Sequence, residues 1–245
     1  MIDLHCHILP GVDDGAQTLD DSLKMAKKAA KDGITHILCT PHHNMKYSNP
    51  KEKVLVAVSD LQKELDEENI PITLFEGQEV RIHHQLMDEI DSDVILFADV
   101  NDRYLMLEFP TAHIPEYTDK MLSDMLERGI VPVIVHPERY TEIQENPNLL
   151  VNYLNMGCLA QVTAPSVVGK YGSKVKKLSH LLIKNNLVQM VASDAHRLGD
   201  RNFYLKEAFK VIEKKYGDEK TQYFTDVARS VINGDDIQVK RYRAL

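Results

Sequence analysis

Residues 1–43 read MIDLHCHILPGVDDGAQTLDDSLKMAKKAAKDGITHILCTPHH. Ile2 to His7 is a short apolar-rich run that reads as a strand. Residues 18–32 read as a helix. Thr18 is the N-cap, Asp20 and Asp21 fall in the first turn, and Leu19, Leu23, Ala26 and Ala30 recur at helical spacing. Gly33 ends that helix, and Ile34 to Thr40 reads as a buried strand. A strand, a helix and a second apolar strand in this order predict a βαβ unit with parallel strands.

The same alternation continues outward. A helix from Asn49-Pro50, with proline at its first position, to about Asn69 leads to a strand at 72–77. A short helix near 83–91, a strand at 104–108, a helix at 115–128 and a strand at 130–135 follow. Helix 147–156, strand 158–162, helix 173–185 and strand 187–192 come next, and helices at 202–216 and 219–233 close the chain. Seven β/α units with short connections, and no linker or repeat, predict one domain spanning 1–245. Seven units fit a closed or nearly closed barrel better than an open sheet. The tail Lys240-Arg241-Tyr242-Arg243 reads as a solvated end.

Composition fits this reading. The 245 residues are 43% hydrophobic and 27% charged, enough apolar material for a sizeable core. The three cysteines stand far apart at 6, 39 and 158 without a CxxC, which points to a reducing, cytoplasmic setting rather than a disulfide scaffold. The N-terminus lacks a signal-peptide pattern, and no apolar run approaches a membrane span. A net charge of −8 argues against a wide nucleic-acid-binding surface.

Chemistry concentrates after the strands. The first carries His5-x-His7, and alternating residues share one face, so both imidazoles point the same way while Cys6 points away. Asp13-Asp14-Gly15 follows, and spacing alone does not choose between the two aspartates. The second strand ends in Thr40-Pro41-His42-His43, with His43 ambiguous beside His42. The third runs into Gly77-Gln78-Glu79, the fourth ends at Glu108, the fifth at His136, and the seventh at Ser193-Asp194-Ala195-His196. Six of seven strand ends thus carry a histidine or a carboxylate. In barrels with this alternation the C-terminal strand ends form one cleft.

A lone HxH or strand-end glutamate is ordinarily structural. Coincidence at equivalent positions favours a metal site instead. Nine candidate ligands are too many for one ion and imply two or three. Imidazoles and carboxylates without thiolate suit Mn²⁺, Fe²⁺ or Zn²⁺. The other histidines read as structural: His36 inside a strand, His83, His84 and His180 on helices, His113 in a loop.

These residues, in this order, resemble the PHP (polymerase and histidinol phosphatase) superfamily along the whole chain. The stretches IDLHCHILPGVDDG, TPHHN, GQEVRI, LEFP, PVIVHPERY, GCLAQVT and ASDAH are similar to one branch. That branch is the bacterial metal-dependent tyrosine-protein phosphatases of capsular and exopolysaccharide loci. The resemblance implies a distorted seven-stranded (β/α)7 TIM-like barrel with three divalent ions, usually Mn²⁺. It implies one ion held by His5, His7, Glu79 and Asp194. A second would sit on Glu79, Glu108 and His136, with Glu79 bridging. The third would sit on Asp14, His42 and His196, and the resemblance favours Asp14 over Asp13. Arg139 matches the arginine of the branch's HPER stretch, and Arg201 matches one shortly after DxH. The implied substrate is phosphotyrosine on a partner protein, the tail of a bacterial tyrosine kinase that regulates capsule or exopolysaccharide assembly.

Divalent cations suit a phosphate monoester dianion, and planar guanidinium forks from Arg139 and Arg201, on opposite walls, match its oxygens. A cysteine-nucleophile phosphatase is excluded by counting: that chemistry needs Cys-x5-Arg, but Val12, Met45 and Ala164 stand where the arginine would be. No GxxxxGK[ST] loop is present. The rivals are a histidinol-phosphate phosphatase or a nuclease module of the same superfamily, and a non-catalytic metal-stabilised scaffold in a polysaccharide synthesis complex. The negative charge disfavours the nuclease, and a complete ligand set disfavours the scaffold.

Overall fold

The computed structural model describes residues 1–245. β1 (Ile2–Cys6) leads to α1 (Leu19–Lys31), which opens on a reciprocal cap. The Thr18 hydroxyl accepts from the Asp21 N–H while the Asp21 carboxylate accepts from the Thr18 N–H, satisfying two otherwise orphaned donors. Gly33, just past the helix, has φ of 87°, which glycine adopts without steric cost. β2 (His36–Cys39), β3 (His42–His43), α2 (Lys51–Glu67), β4 (Thr73–Glu76), β5 (Glu79–Arg81) and α3 (Leu86–Asp91) follow. Next come β6 (Tyr104–Glu108), α4 (Thr118–Glu127) and β7 (Val131–Val135), then a 3-10 turn at Pro137–Arg139. α5 (Thr141–Glu145), α6 (Asn148–Met156), β8 (Leu159–Thr163), α7 (Ala164–Val168), α8 (Gly172–Lys184), β9 (Met190–Ala192), α9 (Leu205–Tyr216) and α10 (Asp218–Asn233) complete the chain.

Every strand pair is parallel. The strands form two sheets, β1-β2-β4 and β3-β5-β6-β7-β8-β9, and a single bridge joins Cys6 to Ala195. This corrects the expected seven uninterrupted strands to nine segments. The second expected strand breaks at Thr40-Pro41, where proline has no N–H to donate, and the third breaks at Gly77-Gln78. Gln78 then turns its side chain to the backbone, donating to Asn49 O and accepting from Leu96 N.

Smaller corrections concern ends. Pro50 is the cap before α2 rather than its first residue, and His83 and His84 precede α3 instead of lying on it. The tail is not simply solvated: the Tyr242 N–H donates to Asn155, and its hydroxyl accepts from Gln189.

Helices cover the sheets with apolar stripes, and most of the buried apolar residues form one cluster. A second cluster lies among the strands: Leu4, Leu38, Met106, Val133, Val135 and Leu159 meet Val227, Ala228 and Val231 of α10. Each such side chain contributes about 1.5–3 kcal/mol when fully buried. The Tyr104 hydroxyl, at the start of β6, donates to Asp235 O just beyond α10. α10 therefore closes the N-terminal ends of the strands, and their C-terminal ends are left to carry polar groups.

Candidate metal centre

The nine expected ligands meet at those C-terminal ends. His5 and His7, two apart on β1, bring their Nε2 atoms within 3.2 Å. Glu79 Oε2 lies 3.3 Å from each of these nitrogens and 2.8 Å from His42 Nδ1, while Glu79 Oε1 accepts from His136 Nε2 at 2.7 Å. Asp194 Oδ1 lies 3.6 Å from His5 and 3.4 Å from His7. Asp14 Oδ1 lies 3.4 Å from His42 Nε2 and 3.5 Å from His196 Nε2.

Four groups of ligand atoms come together: His7, Asp14, His42 and His196; His5, Glu79 and His136; His5, His7 and Asp194; His42, Glu79 and Glu108. The Asp194 group has the expected His5 and His7 but not Glu79, and the Asp14 group has the expected His42 and His196 with His7 added. The expected trio of Glu79, Glu108 and His136 is divided, with His136 beside His5 and Glu108 beside His42. Glu108 Oε2 is drawn aside by Arg81 Nε at 2.8 Å and is 3.8 Å from His42.

Orientation comes from groups behind the cluster. Asp13 Oδ2 accepts from His7 Nδ1 at 2.7 Å and from the His42 N–H, and Asp13 Oδ1 accepts from the Gly15 N–H. Asp13 thus bonds His7 and the His42 backbone, while Asp14 is the one of the pair within 3.5 Å of the His42 and His196 ring nitrogens. Gln161 Oε1 accepts from His5 Nδ1 at 2.9 Å, and Asp194 O accepts from His196 Nδ1 at 3.0 Å. Three imidazoles therefore turn Nε2 inward, the arrangement that sets tautomer and ring angle for ligation. Below them Asp3 accepts from the Ser193 N–H and hydroxyl, tying β1 to β9.

Backbone conformation contributes as well. His136 and Asp194 have φ of 38° and 53°, left-handed values that cost on the order of 1–3 kcal/mol outside glycine. Both stand just past a strand end, where the turn aims the side chain into the centre. Gly15 packs on His7 so closely that an added Cβ would meet His7 O at 2.1 Å. Gly15→Ala should therefore displace Asp13 and Asp14 and lower bound metal, as read by metal analysis of the purified variant.

Electrostatics follow from burial of both charge signs. Asp14 is held well below the ordinary carboxylate range by the His196 and His42 imidazoles beside it. Burial would push the His42 imidazole down, but the Glu79 charge prevails and raises it to about 9. Burial and the nearby Arg139 cation lower His136 to about 3, and burial beside His7 lowers His196 to about 4. Burial and the Glu79 charge raise the Glu108 carboxyl.

Glu79 Oε2, His42 Nδ1, His136 Nδ1, His196 Nε2 and Asp14 Oδ1 are buried without a hydrogen-bond partner in the protein. Buried polar atoms ordinarily have partners. Orphaned carboxylate and imidazole lone pairs converging on one place fit divalent cations.

Arg139 donates to Asp194 Oδ2. Arg201 reaches the same carboxylate at 3.3 Å and Asp14 Oδ2 at 3.4 Å. Both arginines thus border the centre, but they converge on Asp194 instead of facing each other from opposite walls. Sequence reasoning missed Arg81 and Gln161 as site residues. Arg81 stands two residues after Glu79 on β5, and Gln161 two before the end of β8, so strand alternation was the available signal. His43 is not in the cluster and donates to Glu89 at 3.2 Å. His180 bonds Tyr216 and Val167 O, away from the centre.

Asp13→Ala is expected to weaken metal binding by roughly 10–100-fold through loss of the His7 partner. His180→Ala should leave metal content unchanged. Titration with the ion, followed by metal analysis, measures both.

Parallel strands covered by helices, with imidazoles and carboxylates gathered at one end, define an α/β protein with a candidate divalent-metal centre. A phosphotriesterase homology protein from Escherichia coli shares the fold at a TM-score of 0.61 and 10% identity, over 93% of this chain and 97% of that one. The chain belongs to the CpsB/CapC family of capsular polysaccharide synthesis, whose model matches residues 1–233. It is 41% identical over 239 residues to the tyrosine-protein phosphatase YwqE of Bacillus subtilis, covering 97% of this chain and 93% of YwqE. It is 30% identical over 243 residues to the tyrosine-protein phosphatase CpsB of Streptococcus pneumoniae, covering 95% and 98%. A crystal structure from the pair YwqE and CpsB, described as unique metal-dependent tyrosine phosphatases, matches with a TM-score of 0.96 and 39% identity, over 100% of this chain and 99% of that one.

Proposed function

We propose that this protein is a metal-dependent protein-tyrosine phosphatase. The observation that carries the reading is the Glu79 carboxylate, buried and shared among His5, His7, His42 and His136, with two arginines at its border. We assign His5, His7, Asp14, His42, Glu79, Glu108, His136, Asp194 and His196 as ligands of up to three divalent ions, Mn²⁺ being the expected metal. Bound there, the cations would supply Lewis-acid charge to phosphoryl oxygens and lower the pKa of an attacking water.

The chain's own residues do the rest. Arg139 and Arg201, which border the centre at Asp194, offer planar N–H forks to the phosphoryl dianion. Asp13 and Gln161 keep the ring nitrogens of His7 and His5 aimed inward. A phenol pKa near 10 makes the tyrosine phenolate a better leaving group than the alkoxide of an alkyl phosphate, so a strong general acid is not required.

Counting β2 with β3, and β4 with β5, as interrupted single strands gives seven. With the Cys6–Ala195 bridge beside the last and first strands in support, our reading is a distorted (β/α)7 barrel, one domain over 1–245. The partner in this reading is a phosphotyrosine-bearing bacterial tyrosine kinase of capsule or exopolysaccharide assembly, met in the cytoplasm. No helix is long and apolar enough to cross a membrane.

The test is a competition among a phosphotyrosine peptide, its phosphoserine analogue and histidinol phosphate, with saturating Mn²⁺ and with chelator. The phosphotyrosine peptide should have the highest kcat/KM, and only with metal. Thiol alkylation should do little, because all three cysteines are buried and burial raises their thiol pKa values. Histidinol phosphate hydrolysed ten times more efficiently would replace this reading.

A further inference from the structure

Beside the metal centre lies a cavity of about 460 Å³, lined in part by Asp13, Asp14, Gly15, Tyr47 and Arg197. Its volume falls within the range of small-ligand sites. Tyr47 is held there by a compact turn. Asn44 Oδ1 accepts from the N–H groups of both Lys46 and Tyr47 at 2.9 Å, and the Asn44 N–H donates to Tyr47 O at 2.9 Å. Such an Asx turn fixes the backbone and so the direction of the ring. The ring lies nearly parallel to that of His42, 11° between planes and 6.0 Å between centroids. His42 in turn faces Asp14 and Glu79. Lys46 Nζ sits 4.5 Å from the Tyr47 centroid, and Lys46 is exposed, so a mobile cation covers the ring face that a guest could take.

We propose that Tyr47 determines specificity for aryl phosphates: its ring contacts the aromatic ring of the substrate when the phosphoryl group is at the metal centre. This deepens the phosphatase reading and rests on it. The chemistry is direct. A phosphotyrosine brings an apolar ring to within one bond of the dianion, and the cavity beside the cluster is lined by one aromatic side chain, the half-buried Tyr47. Offset or edge-to-face packing of two rings is favourable beyond simple burial. An alkyl phosphate brings no ring and gains nothing from Tyr47. Lys46, displaced from the ring, is then free to meet an acidic residue flanking the phosphotyrosine.

The experiment compares wild type, Tyr47→Phe, Tyr47→Leu and Tyr47→Ala, each with its metal content measured. Phenyl phosphate and glycerol 2-phosphate are the substrates, with Mn²⁺. The aryl-to-alkyl ratio of kcat/KM should fall roughly 5- to 10-fold in the alanine variant, mostly through KM for phenyl phosphate, and stay within about twofold in the phenylalanine variant. Equilibrium affinities for phenylphosphonate and methylphosphonate, which need no turnover, should show the same change in ratio. Failure of wild type to hydrolyse any phosphate ester would overturn the phosphatase reading, while the phosphonate ratio still reports on Tyr47. An unchanged ratio in Tyr47→Ala overturns the proposal. So does loss of metal from both the alanine and leucine variants, which would make Tyr47 a support for His42.

Discussion

Glu79→Ala should lose bound divalent metal and phosphatase activity together, by more than about 10³-fold in kcat/KM. The expectation follows from position. Glu79 is fully buried, and its two oxygens approach four imidazoles that between them belong to all four ligand groups. Removing it leaves those rings facing one another without a counter-charge, and costs the several kcal/mol of transition-state charge stabilisation that bound cations provide. Glu79→Gln keeps the volume but not the charge, so it should lose metal as well while remaining folded by circular dichroism. Chelation of the wild type should reproduce the loss, and added Mn²⁺ should reverse it only in the wild type. His136→Ala and Asp194→Ala each remove one ligand atom set and should lose metal less completely. Unchanged metal content in Glu79→Gln would show that the centre is not built on this carboxylate.

Arg139→Ala should lower kcat/KM by roughly 10²-fold or more, about 3 kcal/mol, as for loss of a charge-assisted transition-state donor. Metal content should not fall, because guanidinium does not ligate. The contact with Asp194 sharpens this expectation. Arg139 neutralises a fully buried carboxylate whose pKa it depresses, against the opposing effect of burial. Taking the arginine away frees Asp194 for a cation, so metal affinity should hold or rise while turnover falls. Arg201→Ala removes weaker contacts of 3.3–3.4 Å and should have a smaller effect. Near wild-type kinetics in Arg139→Ala would place it outside the site.

Much of this was legible in the chain because it is local. The N-cap at Thr18, the apolar helical spacing of α1 and the β/α alternation depend on neighbouring residues alone. So does the shared face of His5 and His7. The convergence of the candidate ligands was legible too, apart from the choice between Asp13 and Asp14, because parallel strands in β/α units bring their C-terminal ends together whatever their distance in sequence.

What the tertiary structure alone decided is how those groups divide their tasks. Asp13 and Asp14 are adjacent and chemically identical, and only packing of Gly15 against His7 turns one toward the His7 ring and the other toward the centre. Glu108 is parted from His136 because Arg81, from the neighbouring β5, competes for its carboxylate. Arg139 and Arg201 meet on one aspartate because the 3-10 turn after β7 and the loop after β9 lean over the same strand end. The two strand breaks, the tie between Gln161 and His5, and the seat of Tyr47 beside His42 belong to the same category. In each case the deciding contact spans residues far apart in sequence, and hydrogen-bond geometry a few ångströms across selects among side chains that spacing treats as equal.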